Sequence, residues 1–392
     1  MIYDPYSREV QEDPFPTYAY FREEEPCHYN PKMDFYSLFR FDDVWDATLD
    51  WKTFSSRLGP ALETRSEPPP EHVPSIIGMD PPRQVKIRNL LSKGFTPRRI
   101  ADLESKVRRI AARYLDEFVE AGGGDIQAAF SSKLPMDVIS VLVGIPEEFR
   151  SGYRRAVERA LMRDPETGLP VPPEPDALDT RAMLLDLLKQ RRSEPREDLI
   201  TVAAQSEFED VDGVRRRLTD QEVVAFIGLL ATAGSETTVK LLGNCVVYLW
   251  QHPDQRKRLW DDPTLIPGAV EEVLRYDPPS QFQGRVAGRD VVYHGVTIPE
   301  GARVALVTGA ACRDPREFDD PDRFDIDRQP DRELHFGYGA HVCIGKSLAR
   351  QETRVALEEI RKRFADYEVV EEGLTRTYQA HVRGFAEVPL KI

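Results

Sequence analysis

Thr219-Asp220-Gln221-Glu222 is a capping box, and a strongly apolar run follows it directly. In such a box the threonine hydroxyl and the glutamate carboxylate each accept a backbone N–H that the first helical turn leaves open. The spacing predicts a helix from this point to about Trp250. A helix so long and so poor in charge must be covered by other elements, which points to a large, mostly helical fold. The chain has the material for it: 392 residues, 41% of them hydrophobic, which excludes global disorder. The longest continuous apolar stretch, near Val223–Ala233, is too short to cross a bilayer.

The rest of the chain reads the same way. Asp13-Pro14-Phe15-Pro16 opens a short helical stretch that stops before Pro26, and His28–Arg40 alternates weakly, as a hairpin would. Pro97–Ala121 has helical periodicity and ends at Gly122-Gly123-Gly124. Leu134–Val143 is apolar, Leu265–Arg275 stops before Pro278-Pro279, and Lys346–Phe364 is a last clear helix. Residues 281–307 predict short strands with turns at His294-Gly295 and Pro299-Glu300-Gly301. Prolines break residues 55–79 and 164–176 into loops. With no internal repeat and no linker, the expectation is one domain over residues 1–392, mainly α with a minor β region.

Composition removes several functions. A net charge of -14 argues against nucleic acid as the main partner, since phosphate binding needs a basic face. Cys27, Cys245, Cys312 and Cys343 are too scattered for a disulfide framework, and there is no CxxC pair. The N-terminal residues hold no apolar signal-peptide core, so the expected place is the cytoplasm, with no membrane contact.

The most informative segment is Phe336-Gly337-Tyr338-Gly339-Ala340-His341-Val342-Cys343-Ile344-Gly345. Glycines allow a tight turn and the close approach of a flat ligand. A helix begins directly after, and its N-terminus turns N–H groups and positive potential towards a thiolate. One thiolate without Cys or His neighbours suits an axial haem ligand better than a zinc site. The segment resembles the cysteine loop of the cytochrome P-450 family, F-x-x-G-x-x-x-C-x-G, which Phe336, Gly339, Cys343 and Gly345 match. The resemblance spans roughly Asp13 to Pro389 and is to the soluble bacterial kind, without membrane anchor or fused flavin reductase. It implies the cytochrome P-450 fold and heme b (iron protoporphyrin IX), with Cys343 as metal ligand and Phe336 packed near the thiolate.

Further residues follow from the resemblance. Within Ala233-Gly234-Ser235-Glu236-Thr237-Thr238 the glycine costs the helix about 1 kcal/mol relative to alanine. In the family the matching acid–alcohol pair lies above the iron. Glu236 and Thr237 would be catalytic, relaying protons, while Ala233 and Gly234 would face the cofactor where the helix opens around a water. Phe226, Leu230, Ala233 and Thr237 share one helical face and would line the substrate pocket. Glu272-Val273-Leu274-Arg275 and the Arg323 of Pro321-Asp322-Arg323-Phe324 would form a buried supporting triad. The haem propionates would be met by His341, Arg285 and Arg88. Asp80-Pro81-Pro82-Arg83-Gln84 carries Gln84 where the family has histidine, an amide without charge.

No GxGxxG follows a strand, so electrons must come from a ferredoxin or flavodoxin with its reductase, as the resemblance implies. Arg83, Lys86, Arg98, Arg99, Lys346, Arg350 and Arg354 could form a basic patch for an acidic carrier. The other partners are O2 and a lipophilic small molecule, with Gln281 as a possible hydrogen-bond donor to it; the protein is expected to be a monomer. Hydroxylation, epoxidation and oxidative dealkylation remain open. Two rival readings are a peroxide-driven peroxygenase, which would not need Glu236 and Thr237, and a haem sensor with a second protein ligand to iron.

Overall fold

A computed structural model describes residues 1–63, 73–162, 171–379 and 382–392. Parts of both proline-rich segments, residues 64–72 and 163–170, lie outside the described residues. The chain forms two compact units, each built from separate stretches.

The first unit comprises residues 1–84, 267–343 and 376–384. Its centre is a five-stranded sheet of β1 (Cys27–Asn30), β2 (Phe35–Leu38), β3 (Phe54–Ser55), β4 (Gln283–Ala287) and β5 (Arg303–Leu306), in the order β1-β2-β5-β4-β3. The expected hairpin is β1–β2, with Cys27 opposite Leu38. β5 runs parallel to β2 and antiparallel to β4, which sets Arg285 opposite Val304. One sheet face is closed by aromatic rings: Tyr3, Tyr18, Phe21, Phe35 and Phe39 are all at most 1% exposed. Phe21 stacks on Phe39 at 4.9 Å, a pairing worth about 0.5–1.5 kcal/mol beyond its buried area. Helix α1 (Phe41–Leu49) follows the hairpin and buries Phe41, Val44 and Ala47 in the core of this unit.

The second unit comprises residues 85–266, 344–375 and 385–392. Its axis is α5 (Asp220–Gln251), as the capping box predicts: Thr219 Oγ1 accepts from Glu222 N, and the Glu222 carboxylate accepts from Thr219 N at 2.8 Å. Taken over its whole length, this helix is long and apolar enough to cross a membrane, contrary to the reading from its longest apolar stretch. Its burial gives it a core role instead. It packs on α4 (Leu134–Val143), on the last helix α7 (Lys346–Phe364) and on Thr180–Ser193. Helix α3 (Pro97–Glu120) lies along α7. Ion pairs of Arg108 with Glu358 and Glu359, and of Arg354 with Glu104, tie the two together. Between the units in sequence, α2 (Arg83–Ser92) and α6 (Ile266–Tyr276) carry the transitions of the chain.

Candidate functional site

The cysteine loop leaves the first unit's core at Leu334 and doubles back on itself. Gly337 N donates to Leu334 O at 2.7 Å and Cys343 N to Phe336 O at 2.8 Å, closing a tight loop. The loop needs left-handed backbone at two places, Gly337 (φ 67°) and Gly339 (φ 66°). At Gly339 a Cβ would also stand 3.3 Å from the Thr48 carbonyl oxygen of α1. Tyr338, between these glycines, stacks on Trp45 of α1 with ring centroids 4.0 Å apart. The loop is thus fixed on a rigid base.

Its end is the one exposed thiol of the chain. Cys343 is exposed, whereas Cys27, Cys245 and Cys312 are buried. Burial pushes the thiols of Cys27 and Cys312 up to about 12, and that of Cys245 well above the ordinary range. Those three stay protonated and inaccessible, so Cys343 alone is placed to be a thiolate ligand.

Two residues expected to meet the propionates, His341 and Arg285, lie in the first unit. The His341 ring lies 3.1 Å from Ser56 Oγ through Nε2, and Asp80 fixes Ser56 by accepting its N–H at 2.8 Å. Neither Ser56 nor Asp80 was singled out as a site residue, although Asp80 opens the Asp-Pro-Pro segment. Arg285 is 6% exposed, and its Nη1 donates to Gly284 O at 2.8 Å. No carboxylate among the described residues forms a direct ion pair with it, and desolvation, only partly offset by the nearby Asp80 carboxylate, pulls its guanidinium down to about 10. A buried cation with no directly bonded carboxylate can take an anion, and a propionate is one. An exposed thiol, a fixed imidazole and a buried guanidinium with no direct ion pair fit a haem. Replacing Arg285 by leucine should raise the melting temperature of the haem-free protein and weaken haem retention roughly tenfold to a hundredfold. Haem-to-protein ratios after gel filtration check this; unchanged retention would remove Arg285 from the site.

Gln84 sits differently from the expectation. Its side chain is fully buried, and Nε2 donates to Ala340 O at 2.8 Å, inside the cysteine loop. Oε1 is buried with no hydrogen-bond partner. The amide therefore ties the loop down, which the uncharged replacement for histidine can do without a desolvated charge. Phe336 is half-buried, edge-on to His335. Arg88, on α2, is half-buried in the second unit, as is Gly345, which caps α7.

The supporting triad forms with one change of member. Arg275 donates Nε and Nη2 to the two oxygens of Glu272, at 2.7 and 2.8 Å, and Nη1 to Cys312 O and Pro321 O. The third arginine is not Arg323, which is exposed and offers only its carbonyl to Arg275. Arg328 takes the place, with Nε 3.4 Å from Glu272 Oε2. The turn after Phe324 brings it back, and its guanidinium also binds the carbonyls of Asp319, Asp320 and Arg323.

In the second unit, Ala233 and Gly234 are exposed in the middle of an otherwise well-buried helix. A Cβ on Gly234 would meet only the Ile139 side chain, at 3.9 and 4.0 Å, so protein packing does not require the glycine. The helix does not open here. It runs unbroken through Asp220–Gln251, and Thr237 Oγ1 donates to Ala233 O at 2.8 Å. Thr232, Ser235 and Thr238 make the same bond to the carbonyl four residues back. These hydroxyls give the carbonyls a second donor within an unbroken ladder. Glu236 is half-buried and paired with Lys240 at 3.2 Å. Lys240 was not foreseen, although four-residue spacing from a glutamate is a readable signal. Phe226 and Leu230, expected to line a pocket, are 3% and 6% exposed and belong to the core.

Two further expectations change. Gln281 is buried and fully used: Nε2 donates to Asp277 Oδ1 and Pro278 O, and Oε1 accepts from Tyr18 OH at 2.9 Å. It is a structural brace, with no donor left for a substrate. Of the basic residues, Arg354 is tied to Glu104 and Glu358, Lys86 lies 3.9 Å from Glu209, and Arg98 4.0 Å from Asp102. Acidic neighbours thus stand beside three of the seven.

A family model for Cytochrome P450 matches residues 179–371. Putative cytochrome P450 123 of Mycobacterium tuberculosis is 39% identical over all of this chain and 97% of its own length. Vitamin D(3) 25-hydroxylase of Pseudonocardia autotrophica is 38% identical over 93% of this chain and 89% of its own. Among solved structures, cytochrome P450 CYP109Q5 from Chondromyces apiculatus superposes with a TM-score of 0.88 at 33% identity, covering 99% of this chain and 97% of that one.

Proposed function

The chain belongs to the cytochrome P450 family, whose members bind heme b and act as monooxygenases, and from that premise we propose how its own residues serve the reaction. It inserts one oxygen atom from O2 into a lipophilic small molecule and works as a single-domain monomer in the cytoplasm. Electrons come from a separate ferredoxin or flavodoxin with its reductase. The observation that carries the assignment of the iron ligand is the exposure of Cys343 alone among four cysteines. A relative named as a vitamin D(3) hydroxylase supports a lipophilic substrate and hydroxylation as one outcome.

Heme b, when bound, would supply the iron centre for O2 chemistry. Cys343 would hold that iron through its thiolate, whose charge would enrich the iron in electron density. Arg285 and His341 would hold the propionates, with Arg88 as a further cationic partner; Ser56 and Gln84 keep the loop in place. Ala233 and Gly234 present a flat, side-chain-poor stretch of helix on which a ring system can lie. Thr237 supplies a hydroxyl at that stretch, and Glu236 carries protons to it from solvent. A titratable group beside a hydroxyl suits a reaction that consumes two protons.

Thr237→Ala tests the relay. Reduced nicotinamide and oxygen should still be consumed, with hydrogen peroxide released and little product formed. Substrate affinity should barely change, since one methyl-sized contact is worth about 1 kcal/mol. The measurement is product per nicotinamide oxidised, with peroxide assayed alongside, on a compound found by spin-state shift. Unchanged coupling would remove Thr237 from the relay and favour the peroxygenase reading.

A further inference from the structure

Glu352 lies in the second turn of α7, the helix that begins just after Cys343 in the chain. The other buried acid of that helix, Glu359, pairs with Arg108, Lys362 and Arg363. Glu352 has no such partner. It is 2% exposed, its Oε2 is enclosed without a hydrogen bond, and no cation among the described residues pairs with it. Its neighbours on the buried side of α7 are apolar: Leu348, Val355, Ala356 and Ile360.

The elements packed on α7 do not balance a charge there. They are α3 and α5. On α3, Glu104, Arg108 and Asp116 are engaged with Arg354, Glu358, Glu359 and Arg363. On α5, the titratable groups from Glu236 to Tyr248 are these two, Lys240 and Cys245, and Lys240 stands 3.2 Å from Glu236. Burial alone pushes the Glu352 carboxyl well above the usual carboxylate range. An unpaired carboxylate in such a place costs far more than the neutral acid does.

We propose that Glu352 carries a proton in the folded protein and works as a pH-dependent latch on the helix behind Cys343. Neutral, it lets α7 seat on α3 and α5. Ionised, it drives the helix off its seat and loosens the segment that bears the iron ligand. The effect on haem rests on Cys343 as that ligand; the effect on folding does not. In the unfolded chain a glutamate ionises near pH 4.3, roughly, whereas the folded protein holds this proton to a higher pH. Between those limits the folded state binds one proton more. The stability conferred by the neutral acid is therefore complete in acid and is lost as the pH rises through the folded value.

The test compares haem-loaded parent, Glu352→Gln and Glu352→Met by urea unfolding from about pH 6 to about pH 9. The unfolding constant of the parent, relative to Glu352→Gln, should rise up to about tenfold per pH unit and level off once the folded protein loses its proton. Glu352→Met should share the pH profile of Glu352→Gln, so one poorly folding variant does not decide the matter. Infrared spectra of the parent near neutral pH should show a protonated-carboxyl band that shifts in D2O and is absent from both variants. Haem transfer to apomyoglobin at the alkaline end should be faster from the parent than from Glu352→Gln. A ratio of unfolding constants that stays flat with pH, or a parent without the band, would overturn the latch. Unequal unfolding with equal haem transfer would overturn its link to the haem ligand. The carbon monoxide spectrum of Cys343→Ala separates that outcome from a misassigned ligand.

Discussion

Arg275→Ala is expected to cost roughly 3–5 kcal/mol of stability, because it strands a buried carboxylate. Glu272 is 2% exposed and takes two hydrogen bonds from this guanidinium. It keeps only the Asp325 N–H at 2.8 Å and the more distant Arg328 after the change. The Cys312 and Pro321 carbonyls lose their donor as well. Those bonds join α6 to the segment that leads into the cysteine loop, so haem loading should fall together with the melting temperature. Residual loaded enzyme should turn over normally, since Arg275 does no chemistry. Arg328→Ala should cost less, having a single long contact with Glu272 at stake. Melting curves of the haem-free and loaded proteins check both; an Arg275→Ala protein that melts and loads like the parent would show the pair to be dispensable.

What the sequence could and could not reveal follows from range. The capping box, the cysteine loop and Glu272–Arg275 are each contained within a few residues, and their geometry is set by local spacing. Arg328 was missed because the choice between two arginines depends on how the turn after Phe324 folds. Gln281 was misread because its partner Tyr18 lies 263 positions away, and no periodicity reports that contact. The same holds for Ser56 and His341, 285 positions apart. The expected opening of α5 failed for a different reason. Gly234 weakens the helix by about 1 kcal/mol, which is too little to open a helix that is buried along most of its length.

The largest loss of function is expected from Cys343→Ala. The other three thiols are buried and held protonated, so none can substitute as ligand. The cysteine loop should survive, because its bonds run through backbone atoms of Leu334, Phe336 and Gly337 and through Gln84, not through the sulfur. Helix content should therefore change little while oxygen insertion is abolished. Cys27→Ala, Cys245→Ala and Cys312→Ala each remove a core sulfur and should affect stability alone. The most direct measurement is the absorption spectrum of the reduced, carbon monoxide-bound protein. The parent and the three core variants should show the red-shifted Soret band of a thiolate-ligated haem, and Cys343→Ala should lose it. A Cys343→Ala protein that loads haem and keeps the parent's band would contradict the assignment of this cysteine as the iron ligand.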